Sequence, residues 1–213
     1  MDMPASADES RVPARMIESE NEYGGRRFKG IHLDGGRLEA VTFLDCMFER
    51  CTFVETIWQS CRFVNSFFLE CDLSLMRVPG SVFASTRFED SKLIGVNWTE
   101  AGWPGVGLGD PIALSRCSIS HSTFLGLDLV RVRMRECVAV DVDFREADLR
   151  KADLRGCELL DSMFQGANLS EADLRGARDY RIDAAETTIS GARFTMPEAL
   201  SLLHSLDIDL SEG

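Results

Sequence analysis

Seven cysteines and three histidines are the residues of this 213-residue chain whose types could bind a metal, form a disulfide or attack a substrate. Each of these chemistries demands a spacing. Structural zinc needs closely spaced thiolates or imidazoles that converge, most often opening on a C-x-x-C pair. The chain contains no such pair, no H-E-x-x-H and no glycine-rich phosphate loop after a strand. His32, His121 and His204 share no short motif with a serine, cysteine or glutamate. Catalysis needs a nucleophile and base, or converging ligands, in a pocket, and no such set stands out. The sequence therefore leads to the expectation of no catalytic residues, no metal and no cofactor.

What the cysteines do share is a phase. Cys46, Cys51, Cys61, Cys71, Cys117, Cys137 and Cys157 all stand two residues before a member of one long apolar series. That series returns every fifth residue from Phe28, Leu33, Leu38, Phe43 and Phe48 through Trp98 to Trp103. It resumes one residue out of phase at Leu114, Ile119 and Phe124, and runs on to Leu174, Ile189 and Phe194. Five residues on an α-helix advance by roughly 500°, so the series would spiral around the axis and leave no stripe. A straight strand fails too, because side chains alternate with period two and five is odd. Each unit must turn a corner. If the small residue and the large one two places later both face inward, four units close a square coil of 20 residues, and coils stack about 4.8 Å apart. Phe28, Phe48, Phe68 and Phe88 then form one inward column, and Cys117, Cys137 and Cys157 another. Parallel Cβ vectors at that spacing disfavour a disulfide. The cysteines read as thin core residues.

These residues carry a family resemblance over about four fifths of the chain. Ala147-Asp148-Leu149-Arg150-Lys151, Ala152-Asp153-Leu154-Arg155-Gly156, Ala167-Asn168-Leu169-Ser170-Glu171 and Ala172-Asp173-Leu174-Arg175-Gly176 resemble the units of pentapeptide-repeat proteins. The N-terminal half is a looser version, with Cys, Thr or Ser in the small position and Phe in the large one. The resemblance implies an all-β solenoid: a right-handed quadrilateral β-helix, here with a short C-terminal helix. β-Helical acyltransferases are solenoids as well, but they use hexapeptide repeats and a different coil shape.

Composition sets further bounds. With 45% hydrophobic residues the chain suits one long, thin core. Residues 1–23 carry Pro4, Pro13, many acids and no repeat, and read as a disordered acidic leader without the basic start and apolar stretch of a signal peptide. No apolar run approaches 18 residues, so no membrane span and a cytoplasmic protein are expected. The net charge of −12 is unevenly spread: residues 1–23 and 195–213 each contribute −4, leaving −4 for the repeat body of 24–194, with a basic run at Arg131, Arg133 and Arg135. Phosphate binding needs a concentrated cationic surface, so free nucleic acid is not an expected partner. Most body charges read as a solvated face with ion pairs between coils.

Function should sit at interruptions and ends. Between Trp98 and Leu114 the frame slips by one across a stretch with four glycines and two prolines, which reads as a loop or bulge near residues 99–113. Glu100, Trp103 and Asp110 are its candidate partner-binding residues; the alternative is a kink with Trp103 packed back on the coil. Arg178 to Thr188 keeps frame but loses the apolar signal around Tyr180 and Asp183, as a decorated coil would. In residues 195–213, Thr195-Met196-Pro197-Glu198 reads as an N-cap, an early proline and a capping-box glutamate opening a short helix, followed by Asp207-Ile208-Asp209-Leu210 as a possible strand. An open solenoid end must be capped or shared. Leu200, Leu203, Leu206, Ile208 and Leu210 are more apolar surface than a cap needs and are the candidate interface of a two-fold homodimer, with a monomeric cap as the alternative.

The resemblance extends to the topoisomerase-protecting, quinolone-resistance branch of the family, whose members dimerise through a similar end and engage the enzyme through protruding loops. It implies a protein that binds DNA gyrase or topoisomerase IV and protects it from quinolones or poisoning toxins by imitating DNA with an acidic rod. The near-balanced body fits that last feature poorly. The alternative is a protein–protein interaction scaffold for another partner, whose mark would be apolar residues at outward positions.

Overall fold

The computed structural model describes residues 17–103 and 112–205. Every β contact among them is parallel, and the step between partners is one coil: Phe28 pairs with Phe48 and Phe48 with Phe68, while Tyr23, Phe43, Phe63 and Phe83 follow one another on the neighbouring side. Successive five-residue units thus occupy four faces in turn. The first face holds the strands Glu22–Gly24, Thr42–Leu44, Arg62–Val64 and Val82–Ala84; the second holds Arg27–Lys29, Met47–Glu49, Phe67–Leu69, Thr86–Glu89, Ile112–Ser115 and Arg133–Arg135. On the third face pairing is reduced to single bridges such as His32–Thr52–Asp72–Lys92, and on the fourth Arg37–Glu39 pairs with Ile57–Gln59. Crossovers between parallel strands are right-handed almost without exception. The chain is a right-handed quadrilateral β-helix.

The corner falls on the residue two places after each inward apolar one. It has positive φ at position after position: Ala40 (53°), Asp45 (53°), Arg50 (52°), Glu55 (56°) and Ser60 (54°). That conformation costs a non-glycine residue on the order of 1 kcal/mol. The amide at the same corner recovers a hydrogen bond to the next coil, as where Asp45 N–H donates to Val64 C=O at 2.9 Å and Arg50 N–H to Leu69 C=O at 2.9 Å.

Inside, large residues stack in columns. Phe28–Phe48, Phe48–Phe68 and Phe68–Phe88 have ring centroids 4.8, 4.4 and 4.9 Å apart. Phe124, Phe144 and Phe164 continue a column on the fourth face at 5.3 Å. The small positions are thin but not inert: Ser66 Oγ donates to Phe43 C=O of the coil below at 3.3 Å, and Cys51 Sγ reaches Phe28 C=O at 3.5 Å. All seven cysteines are buried and free.

Three local expectations change. The coil begins before residue 24, because Glu20 N–H donates to Glu39 C=O at 2.8 Å and Tyr23 stacks on Phe43 at 5.5 Å, so an aromatic ring without a small residue two places earlier still opens the core. The coil through 178–188 keeps frame at its two ends, with Glu158 bridging Arg178 and Asn168 bridging Thr188, but between them the corner moves to Asp179 (φ 60°). Its apolar filling is not lost: Tyr180 is buried one residue out of phase and Ile182 in the small inward position. The capping box at Thr195–Glu198 does not form. Pro197 occupies the cap with no side-chain hydrogen bond, and the Thr195 hydroxyl instead accepts from Gly176 N–H of the coil beneath at 2.9 Å. The C-terminal helix is one 3₁₀ turn, Glu198–Leu200, running into Ser201–His204.

Candidate interaction surface

The sequence break resolves into an insertion at a single corner. Arg87, Phe88 and Glu89 pair with Phe67, Phe68 and Leu69 below at a step of 20 but with Ala113, Leu114 and Ser115 above at a step of 26, six residues more. Beyond it the step returns to 20, with Ala113 pairing to Arg133. The extra residues enter after Trp103 on the first face and before Ile112 on the second, so coils on both sides stay in one stack. Residues 104–111, including Asp110, lie outside the described residues.

At the foot of the insertion, Trp98–Glu100 is a 3₁₀ turn capped by Asn97, whose side chain accepts from Thr99 N–H. Gly102 N–H then rejoins the coil through Ser81 C=O at 2.8 Å. Trp103 leans on the core: its indole N–H donates to Trp98 C=O at 2.8 Å, with the two rings 6.1 Å apart. Glu100 has one carboxylate oxygen 3.5 Å from Arg77 and the other buried without a partner. The structure thus brings Glu100 and Trp103 together beside the insertion, both part-buried in the coil.

On the second face, just above the insertion's foot, a cleft of about 430 Å³ opens between Asn65 and Ser85 at the corner and Arg87, Arg133 and Arg135 on the strands. Its middle coil carries only Ala113 and Ser115 outward. Charge around it is asymmetric. Glu89 and Asp90 both turn onto Arg116, Asp90 at 2.7 Å, which lowers the Asp90 carboxyl through that hydrogen bond. Arg87 is exposed, and its guanidinium forms no ion pair or hydrogen bond among the described residues. Below the cleft the same face shows half-buried Phe67, Leu69 and Met47 at outward positions, with Leu44 and Val64 across the corner. Outward positions read as mostly polar from sequence; this strip departs from that, as do single exposed residues such as Leu75, Leu125, Val138 and Leu160, and it is hidden among strand residues whose neighbours point inward.

Further along, outward charges cancel locally. Asp143, Asp148, Asp153 and Asp173 each accept from the backbone N–H and the guanidinium of the arginine two residues on. Burial works to raise the Asp153 carboxyl, but hydrogen bonds from Arg155 and Arg135 outweigh it and hold it at about 2.

Five of the seven cysteines line one inward column, Cys51, Cys71, Ser91, Cys117, Cys137 and Cys157, continuous across the insertion, while Cys46 and Cys61 stand in two others. Thiols above and below, together with burial, push Cys137 far up; the same bonds ease Cys117 and Cys157 down, yet thiolates packed this deeply have no compensating charge and the column stays protonated. Among the described residues no group of three or more His, Cys, Asp or Glu could hold a metal, and no helix is long and apolar enough to cross a membrane. His32 and His121 face solvent, His121 at a corner 3.0 Å from Asp141. At the C-terminal end Leu202 seats on the core while Leu200 stays 37% exposed and Leu203 half-buried; Leu206, Ile208 and Leu210 lie outside the described residues.

A parallel solenoid with five-residue units and this corner chemistry defines the class. Family models described as pentapeptide repeat region and pentapeptide repeats match residues 41–111 and, in overlapping stretches, 113–150 and 143–178. The chain belongs to the pentapeptide-repeat family. No individual curated sequence matches it significantly. Among solved structures it is similar to QnrB1, described as a plasmid-mediated fluoroquinolone resistance protein. Two trypsin-treated variants match at TM-score 0.59 with 16% and 17% identity, covering 91% and 92% of this chain and 97% and 92% of theirs. The full-length protein matches at TM-score 0.55 with 16% identity, over 85% of this chain and 100% of its own. At such identity the likeness is one of fold.

Proposed function

We propose that this chain is a non-catalytic binding rod whose partner is DNA gyrase or topoisomerase IV, which it protects from quinolones or topoisomerase-poisoning toxins. The observation that carries the reading is the insertion: a rod in uniform register is interrupted at one corner, with Glu100 and Trp103 at its foot, on a fold that matches a fluoroquinolone resistance protein over nearly its whole length. A protein rod held by self-contained coils can present such a loop at a fixed height without rearranging. The reading includes a homodimer formed through residues 195–213, because Leu200 and Leu203 leave apolar surface at the end of the stack.

Imitation of DNA is the weakest element of this reading. Four outward aspartates of the C-terminal half, Asp143, Asp148, Asp153 and Asp173, are each neutralised by their own arginine, and the second face carries an arginine cleft. A contact-based mode fits the charges better. The alternative, a scaffold for a different protein, is favoured by the apolar strip at Met47, Phe67 and Leu69.

The test is a gyrase and topoisomerase IV supercoiling and cleavage assay with ciprofloxacin over a concentration series of the protein. Restored supercoiling with less trapped cleavage complex, lost when residues 104–109 are deleted, supports protection through the insertion. Absence of any effect on either enzyme at micromolar protein removes the topoisomerase reading and leaves the scaffold. Light scattering after gel filtration tests the dimer, which Leu200→Glu with Leu203→Glu is expected to split.

A further inference from the structure

We infer that the second face, from the arginine cleft at Arg87, Arg133 and Arg135 down to Phe67, is a docking groove for an extended acidic protein segment that places a carboxylate beside a large apolar side chain. The groove is built by register. Arg87 and Arg133 stand two coils apart on one outward column, roughly 10 Å, with only Ala113 between them. Small residues on the middle coil leave the depression, and guanidiniums from the coils on either side overhang it. The carboxylates nearest to it are already engaged: Glu89 and Asp90 on Arg116, and Asp153 on Arg135 at 2.5 Å and on Arg155 at 2.8 Å. Arg87 alone keeps its donors for something else, and a planar guanidinium suits a carboxylate in a two-bond fork.

Phe67 lies one coil below Arg87 on the same column, and Leu69 and Met47 flank it. A segment running along the face therefore meets a cation and an aromatic ring within about 5 Å of rise. That pairing separates the occupant from nucleic acid. Phosphodiester tracks call for cations repeated along a groove, whereas here the cationic stretch gives way to an apolar one. It also runs opposite in sign to an acidic rod, so the groove stands independently of the topoisomerase reading.

Fluorescence anisotropy with the full chain tests the groove. The probe is a labelled eight-residue peptide alternating glutamate with leucine and phenylalanine; its glutamine counterpart and a 20-base-pair DNA duplex are the comparators. The acidic peptide is expected to bind in a salt-dependent manner, with R87E weakening it about tenfold and F67S and A113E each severalfold. Because Arg87 has no partner to lose and Phe67 points outward, these variants are expected to keep the melting profile of the parent, which the same samples report. Equal binding of the glutamine peptide, unchanged binding by R87E, tighter binding of the duplex, or no binding of the acidic peptide at about 1 mM overturns the proposal.

Discussion

The coils before and after the insertion follow one path with different chemistry. Up to Phe88 the interior is aromatic, with Phe28, Phe48, Phe68 and Phe88 in contact along one face and Phe43, Phe63 and Phe83 along the next. From Ala147 onward it is mainly Ala and Leu, with Phe164 ending the fourth-face column, and the ordering moves outside, where Asp148, Asp153 and Asp173 clamp their own turns and their own arginines. On most faces the N-terminal coils also pair as strands of three or four residues, whereas the C-terminal ones, Ile112–Ser115 and Arg133–Arg135 aside, touch through single bridges between tight turns. A square coil can therefore be specified from within by ring stacking or from without by side-chain bonds to the turn. The backbone step of 20 is indifferent to the choice.

This contrast can be broken first in the core. Phe68→Ala removes a ring stacked at 4.4 and 4.9 Å on both sides and is expected to cost about 3–5 kcal/mol in urea unfolding. Leu154→Ala, on the same face past the insertion, is expected to cost about 1 kcal/mol less, the share belonging to aromatic contact beyond burial. Equal losses would mean that stacking adds nothing specific to the N-terminal half.

The outer clamps give smaller effects. Asp153→Asn keeps the turn's backbone bond but gives up the charge and is expected to cost about 1 kcal/mol. Because the Asp153 carboxyl sits near 2 when folded, below its unfolded value near 3.9, its stabilisation is full above pH about 4 and fades as pH falls towards 2. An acid titration followed by hydrogen exchange should thus loosen the coils around Asp153 ahead of those around Phe68; the reverse order would refute the division of labour. Smallest of all, Ser60→Gly relieves a positive φ of 54° and should raise the urea midpoint by the equivalent of about 0.5–1 kcal/mol. No change there would show that the corner is already relaxed.

Most of this fold was legible because period five forbids both helix and straight strand. The inward columns, the thin cysteines and the coil length all follow from that arithmetic. Less legible was anything that depends on which outward residues become neighbours. A frame shift of one residue is equally the signature of one extra residue or six, and only the pairing of Phe88 with Leu114 brings Arg87, Ala113 and Arg133 into a line. Until then the run of arginines at 131–135 is just a local excess of charge. Phe67 and Met47 were hidden differently, as apolar residues next to apolar residues, with alternation blurred at the positions where the surface is least polar. The capping box at Thr195 misled because Pro197, not Thr195, stands at the cap, and the Thr195 hydroxyl is turned to Gly176 N–H of the adjoining coil.

The step of 26 also bears on how such a chain can change. Since Arg87–Glu89 and Ala113–Ser115 grip each other directly, the segment between Trp103 and Ile112 is tethered at both ends to a scaffold that does not need it. Lengthening a closed loop costs only about 0.6 kcal/mol for each doubling. That corner is a splice point: new sequence can be inserted, tried and discarded there while the stack above and below goes on folding as before.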